Sequence, residues 1–172
     1  MPGLFFVKIM DNNWEDIFRF DDQLTEEERM IRDNVREYCN KSLMPRILDA
    51  NRNEIFHPEI YKEMGELGIL GASIQGYGCA GVGYVSYGLI TREIEKIDSS
   101  YRSAFSVQSS LAMYAIYQFG SEAQKDELLP QMAKGDLIGC FGLTEPDAGS
   151  DPGSMLSTAK KVDGGYNLNG SK

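Results

Sequence analysis

Apolar residues recur at helical spacing along most of the chain, then give way near residue 136 to short runs and alternation. Thr25 and Glu28 make a capping-box pattern, with Glu26 and Glu27 in the first turn, where the helix dipole favours anions. Ile31, Val35, Tyr38 and Cys39 follow on one face. The pattern predicts a helix over 26–41 that Pro45 kinks or restarts toward Asn51. Pro58 is expected at the N1 position of a helix that turns Ile60, Met64 and Leu67 inward and ends at Gly68. Val85, Leu89, Ile90, Ile94 and Ile97 predict a helix over 85–96. Ser99 or Ser100 then caps a run through Phe105, Leu111, Ala115 and Ile116 to Phe119, with Gly120 as its C′ glycine. This run is apolar nearly all round, which places it centrally. Ser121 caps 122–129, and Pro130 is expected to break or offset the continuation to Lys134.

Gly135 marks an apparent boundary. Beyond it the short apolar run 137–143 reads as a strand feeding a loop with two prolines and two glycines. Residues 158–162 and 166–168 alternate around Asp163-Gly164-Gly165 as a hairpin, and Asn169-Gly170 is a further turn signal. The expected fold is α+β, with a helical bundle over 21–135 and the truncated start of a β-domain over 136–172. Its last strands should carry unpaired edges. Residues 1–20 are left as an extension of uncertain character. Within them, Met1–Met10 holds one lysine and runs straight into Asp11, Glu15 and Asp16, which fits neither a secretory signal nor a mitochondrial presequence. That stretch is read as extraneous.

Composition narrows the chemistry. Hydrophobic residues make up 42% of the 172, enough for a real core. Lys and Arg number 17 against 26 Asp and Glu, and the net charge of −9 argues against nucleic acid or an anionic membrane as partner. No apolar run reaches membrane-spanning length. Cys39, Cys79 and Cys140 lack metal-ligand spacing, and the single histidine, His57, completes no zinc site with them. They read as buried, reduced thiols. Gly76 to Gly81 spells G-x-G-x-x-G, with Asp98 twenty residues past Gly78, but the segment before Asp98 is helical in period. A glycine-rich connection between helices is the better reading.

Two features carry candidate chemistry. The loop after residue 143 is able to turn several backbone N–H groups, with the Thr144 and Ser150 hydroxyls, toward one point, a way to hold a polar-edged ligand. A plain solvent loop is the competing reading. Arg102 stands in the first turn of an otherwise apolar helix and needs a partner. A structural salt bridge to Glu95 and reception of a ligand carboxylate are both open on the residues alone.

The segment Cys140-Phe141-Gly142-Leu143-Thr144-Glu145-Pro146, followed by Gly149-Ser150-Asp151, closely resembles the flavin-binding signature of acyl-CoA dehydrogenases. Leu43-Met44-Pro45-Arg46, Gly76-Tyr77-Gly78-Cys79-Ala80-Gly81-Val82, Tyr101-Arg102-Ser103-Ala104 and Val107-Gln108-Ser109-Ser110 resemble the glutaryl-CoA branch in particular. The resemblance covers about nine-tenths of the chain.

It implies FAD as cofactor, contacted by Phe141, Gly142, Leu143, Thr144, Gly149 and Ser150. It implies an acyl-CoA substrate contacted by Arg102, Ser103 and Ser150, with Glu95 as a hydrogen-bonding neighbour and Ser106 and Val107 lining the acyl pocket. The implied reaction is α,β-dehydrogenation with loss of carbon dioxide, in lysine and tryptophan catabolism. Its catalytic base is a glutamate of a C-terminal domain, so no catalytic residue is assigned here and the chain alone is expected to be inactive. Electron-transfer flavoprotein is the implied electron acceptor and a homotetramer the implied assembly. The compartment would be the mitochondrial matrix in a eukaryote and the cytoplasm in a bacterium. A truncated inactive product, a helical interaction module, and an acyl-CoA dehydrogenase of other chain specificity are the alternatives.

Overall fold

Thr25 begins the first long helix as expected. Its hydroxyl accepts the Glu28 N–H at 3.2 Å while the Glu28 carboxylate accepts the Thr25 N–H at 2.8 Å, so two otherwise orphaned donors are satisfied reciprocally. The computed structural model describes residues 18–172; Met1–Met10 lies outside the described residues. The helices are α1 (Phe20–Gln23), α2 (Glu26–Tyr38), α3 (Met44–Asn53), α4 (Ile60–Glu66), α5 (Tyr84–Glu95), α6 (Ser99–Ser106), α7 (Tyr114–Phe119) and α8 (Glu122–Ala133). π-helical turns at Cys39–Leu43 and Val107–Met113 link α2 to α3 and α6 to α7. Two strands, β1 (Thr158–Val162) and β2 (Gly165–Asn169), form an antiparallel hairpin. A largely helical chain ending in a small antiparallel sheet is the α+β class expected.

Residues 18–55 and 83–99 make one compact unit. In it α2 packs on α5, burying Val35 and Cys39 on one side and Leu89, Ile90 and Ile94 on the other. The expected helix over 26–41 gives way to the π-turn after Tyr38, and Met44 restarts it with Pro45 in the first turn, where a missing N–H costs nothing. The buried Glu93 carboxylate accepts from the Arg36 guanidinium at 3.0 and 3.1 Å and lies 3.2 Å from the Lys96 ammonium. Burial works to raise its pKa, but these two cations outweigh burial and hold it below the usual carboxylate value.

Residues 56–82 and 100–172 make the second unit. Its core includes Ile60, Met64, Leu70, Ile74, Phe105, Met113, Leu129 and Met132. The G-x-G-x-x-G stretch is an irregular connection between α4 and α5, with Gly76, Tyr77, Gly78 and Gly81 all at positive φ and no strand before it among the described residues. Gly135 has φ +70, and a Cβ there would sit 2.1 Å from the Tyr61 carbonyl oxygen. The α8 terminus therefore lies directly against α4.

Five local expectations are corrected. Pro58 precedes its helix instead of opening it: the chain makes a tight turn, with the Ile60 N–H donating to the His57 carbonyl, and α4 starts at Ile60. Gly120 is extended (φ −71, ψ 154), not left-handed; it is needed for space, since a Cβ would meet the Ile116 carbonyl oxygen at 2.5 Å. Pro130 neither breaks nor offsets α8, which runs through it to Ala133. Only one intrahelical bond is lost there, on a half-exposed side of the helix. Cys140 is exposed, because residues 140–144 lie outward along the surface. Finally, residues 137–143 form no strand, since the described strands pair only with each other and nothing else offers this segment a ladder.

Candidate functional site

The site is built on the π-turn between α6 and α7. A π-turn adds a residue to the helical repeat, which here turns both Gln108 and Ser109 into the core. The Ser109 hydroxyl accepts the Gly71 N–H at 3.0 Å. Gln108, 1% exposed, does more. Its amide nitrogen donates to the carbonyl oxygens of Met132 (3.1 Å) and Leu137 (2.9 Å), and its amide oxygen accepts the Gly139 N–H at 2.8 Å. Both donors are used, and the partners leave a single orientation for the amide.

Gly139 is where the segment comes closest to the helices. A Cβ on it would sit 2.5 Å from the Ala112 Cβ and 2.6 Å from the Met132 Cε. From there an apolar cleft of about 280 Å³ opens between Ala112, Ile116, Leu128, Ile138 and Phe141. Phe141 is 47% and Leu143 38% exposed, and Gly142 and Thr144 are exposed with them.

The loop that follows is pinned from inside. Glu145 and Ala148 exchange backbone bonds of 3.0 and 3.2 Å around Pro146-Asp147, a tight turn with proline in its favoured place. The Glu145 carboxylate, in a residue only 7% exposed, accepts the N–H groups of Leu156 (2.7 Å) and Ser157 (3.1 Å). The Lys172 ammonium lies 3.2 Å from the same carboxylate and donates to the Leu143 carbonyl at 2.8 Å. Hydrogen bonding from Ser157 and Leu156, reinforced by the ammonium, outweighs burial and holds the Glu145 pKa down to about 2. Backbone N–H groups do converge on one point, but the anion they hold is the chain's own Glu145. Gly149 and Ser150 are left exposed, with open space where a Gly149 Cβ would stand.

The second group of candidates sits on α6. The half-buried Arg102 donates to the Ser106 hydroxyl at 3.2 Å, and Ser106 donates to the Ser103 carbonyl at 3.2 Å. Ser103 is exposed; Ser106 and Val107 are half-buried. Glu95 is exposed and accepts from the Ser99 hydroxyl at the start of α6. The structure thus brings Arg102, Ser103 and Ser106 together on one helix, and Phe141 to Thr144 with Gly149 and Ser150 along one loop.

Burial pushes the Cys39 thiol up to about 12 and Cys79 up to about 11, which leaves both inert as nucleophiles. Among the described residues no cluster of His, Cys, Asp and Glu could hold a metal ion. Sequence reading missed Gln108 and Lys172 and gave Glu145 no role. A glutamine inside an apolar helix is a signal that was available, since a buried amide demands partners. Nothing local in the sequence points to Lys172.

Residues 25–136 match the family described as acyl-CoA dehydrogenase, N-terminal domain. An acyl-CoA dehydrogenase of Bacillus subtilis is 39% identical over 150 residues, covering 87% of this chain and 40% of that protein. The mitochondrial isovaleryl-CoA dehydrogenase of Pongo abelii is 35% identical over 153 residues, covering 87% and 36%. A glutaryl-CoA dehydrogenase from Mycobacterium smegmatis, solved in complex with FADH2, superposes with a TM-score of 0.86 at 47% identity, covering 90% of this chain and 40% of that one. The chain thus spans about two-fifths of the length of such relatives. It belongs to the acyl-CoA dehydrogenase family, and residues 25–136 are its N-terminal domain.

Proposed function

We propose that this chain supplies flavin and substrate contacts to an FAD-dependent acyl-CoA dehydrogenase of the glutaryl-CoA type, which would convert glutaryl-CoA to crotonyl-CoA and carbon dioxide in lysine and tryptophan catabolism. The observation that carries this reading is the strip Phe141 to Thr144, exposed to solvent yet held from behind by Gln108, Glu145 and Lys172. Its donor set fits a flavin: the apolar faces of Phe141 and Leu143 suit a planar ring, and the Thr144 hydroxyl suits its polar edge. FAD, when bound, supplies acceptance of the substrate β-hydrogen as hydride.

The chain's own residues bind and orient. Gly142 and Gly149 allow close backbone approach, and the exposed Ser150 hydroxyl would be available to the diphosphate and thioester. Arg102 receives the distal carboxylate of a dicarboxylic acyl group, with Ser103 and Ser106 beside it, Val107 along the acyl chain and Glu95 as a neighbour. The α-proton is removed by a glutamate outside these residues. Electron-transfer flavoprotein is the electron acceptor and a homotetramer the working assembly in this reading. It places the enzyme in the mitochondrial matrix of a eukaryote or the cytoplasm of a bacterium.

The test uses the full-length protein. It should purify with visible flavin absorption and turn over glutaryl-CoA. Replacing Arg102 with a neutral residue should damage glutaryl-CoA turnover far more than that of a monocarboxylic thioester of equal length. Stranding one partner of a buried ion pair costs ~3–5 kcal/mol, or two decades and more in kcat/KM. Equal losses would favour a monocarboxylic specificity, as in the isovaleryl-CoA relative, with Arg102 structural. A protein that holds no flavin would overturn the reading in favour of an inactive product or helical interaction module.

A further inference from the structure

We infer that Gln108 is the positioning residue for the flavin-contacting strip, acting as a one-residue substitute for a neighbouring strand. In a strand, the C=O of one residue and the N–H of the residue two further on point to the same edge. Gln108 engages this pair, accepting from Gly139 and donating to Leu137, while its second N–H ties the pair to the Met132 carbonyl at the end of α8. One buried amide therefore fixes the segment to two helical elements at once. Phe141 begins two residues beyond the fixed point, so the placement of Phe141 to Thr144 follows from where Gly139 is held.

Only a primary amide meets this demand. Two carbonyl oxygens need donors and one N–H needs an acceptor, around a side chain that is itself only 1% exposed. Leucine satisfies none of them. Glutamate in its ionised form accepts from Gly139 but sets a charge against two carbonyls; in its protonated form it accepts from Gly139 and donates to one carbonyl. Glu at this position would thus make the clamp pH-dependent where the wild-type amide is indifferent to pH.

This inference rests on the flavin reading above, and its test separates the two. In the full-length protein, Q108L should speed amide hydrogen exchange at Gly139 tenfold or more and weaken FAD binding tenfold or more. Q108E should hold FAD within about threefold of wild type at the acid end of the stable range, and fall tenfold or more below wild type as pH rises. S109A is the control, because it removes a buried bond to Gly71 from the same π-turn without touching residues 137–139; its FAD affinity should stay within twofold. Unchanged Gly139 exchange in Q108L, or a Q108E whose FAD affinity tracks wild type at every pH, overturns the positioning role alone. An S109A that loses FAD as badly as Q108L also overturns it, since the loss would then reflect general stability. A wild-type protein without flavin, with Gly139 exchange still accelerated in Q108L, overturns the flavin reading and leaves only a structural clamp.

Discussion

The Lys172 ammonium lies 3.2 Å from the Glu145 carboxylate, so the residue just past the hairpin anchors the loop that precedes it. The same ammonium donates to the Leu143 carbonyl, and the same carboxylate receives two loop N–H groups. Loop order here is electrostatic more than hydrophobic, since most of the surrounding side chains are exposed.

Acid should therefore loosen this loop first. Glu145 titrates at about 2 when folded, against roughly 4.3 for a free glutamate. Its contribution is fully present above the unfolded value and is lost as pH falls through that window toward 2. Thermal melts between pH 6 and 2 should show E145Q losing less stability on acidification than wild type. Parallel curves for the two proteins would contradict the assignment.

Gly139→Ala should be costly although the residue is only half-buried. The new methyl would overlap the Met132 Cε and the Ala112 Cβ, and the latter is fixed directly to its backbone. Overpacking of this kind costs ~1–3 kcal/mol. Gly142→Ala, with open space around it, should stay within about 0.5 kcal/mol. Urea denaturation of both variants makes the comparison.

The Arg36–Glu93 pair should be asymmetric. Glu93 is buried and Arg36 half-exposed, so R36A strips a buried carboxylate of its bidentate partner and leaves it the more exposed Lys96 at 3.2 Å and Arg92 at 3.7 Å. E93Q frees a guanidinium that water can reach. The first loss should approach about 3 kcal/mol and the second about 1 kcal/mol. Equal losses in chemical denaturation would show that burial does not control the pair.

Thr25→Ala removes the cap of α2 and should cost about 1 kcal/mol. Thr25→Asn, which keeps an acceptor, should recover most of it. Helix content by circular dichroism, followed with the melting temperature, reports both.

The longer helices and their order were legible in the sequence because they carry their own signals, whereas the short α1 was not foreseen and α6 and α7 were read as one run. Thr25 with Glu28 and Ser121 with Gln124 are local capping boxes, and the face Val35–Cys39 needs only a period to be seen. The Asp163-Gly164 turn is local too, with Gly164 at φ +79 joining paired strands. The two π-turns were not legible, since nothing in a 3.6-residue pattern marks an added residue.

By itself, then, the sequence determined the α+β class, the capped helices, the hairpin and the family signature from Cys140 to Asp151, all of which depend on residues near one another in the chain. Tertiary structure decided what becomes of that signature. Residues 137–143 look like a strand, yet strand character requires a ladder partner, and the partner of Leu137 and Gly139 is a glutamine side chain from a helix. Glu145 shows no role in the sequence, yet its carboxylate is the point on which Leu156, Ser157 and Lys172 converge. Hydrogen-bond partners distant in sequence are chosen by packing, and no local pattern of residues encodes that choice.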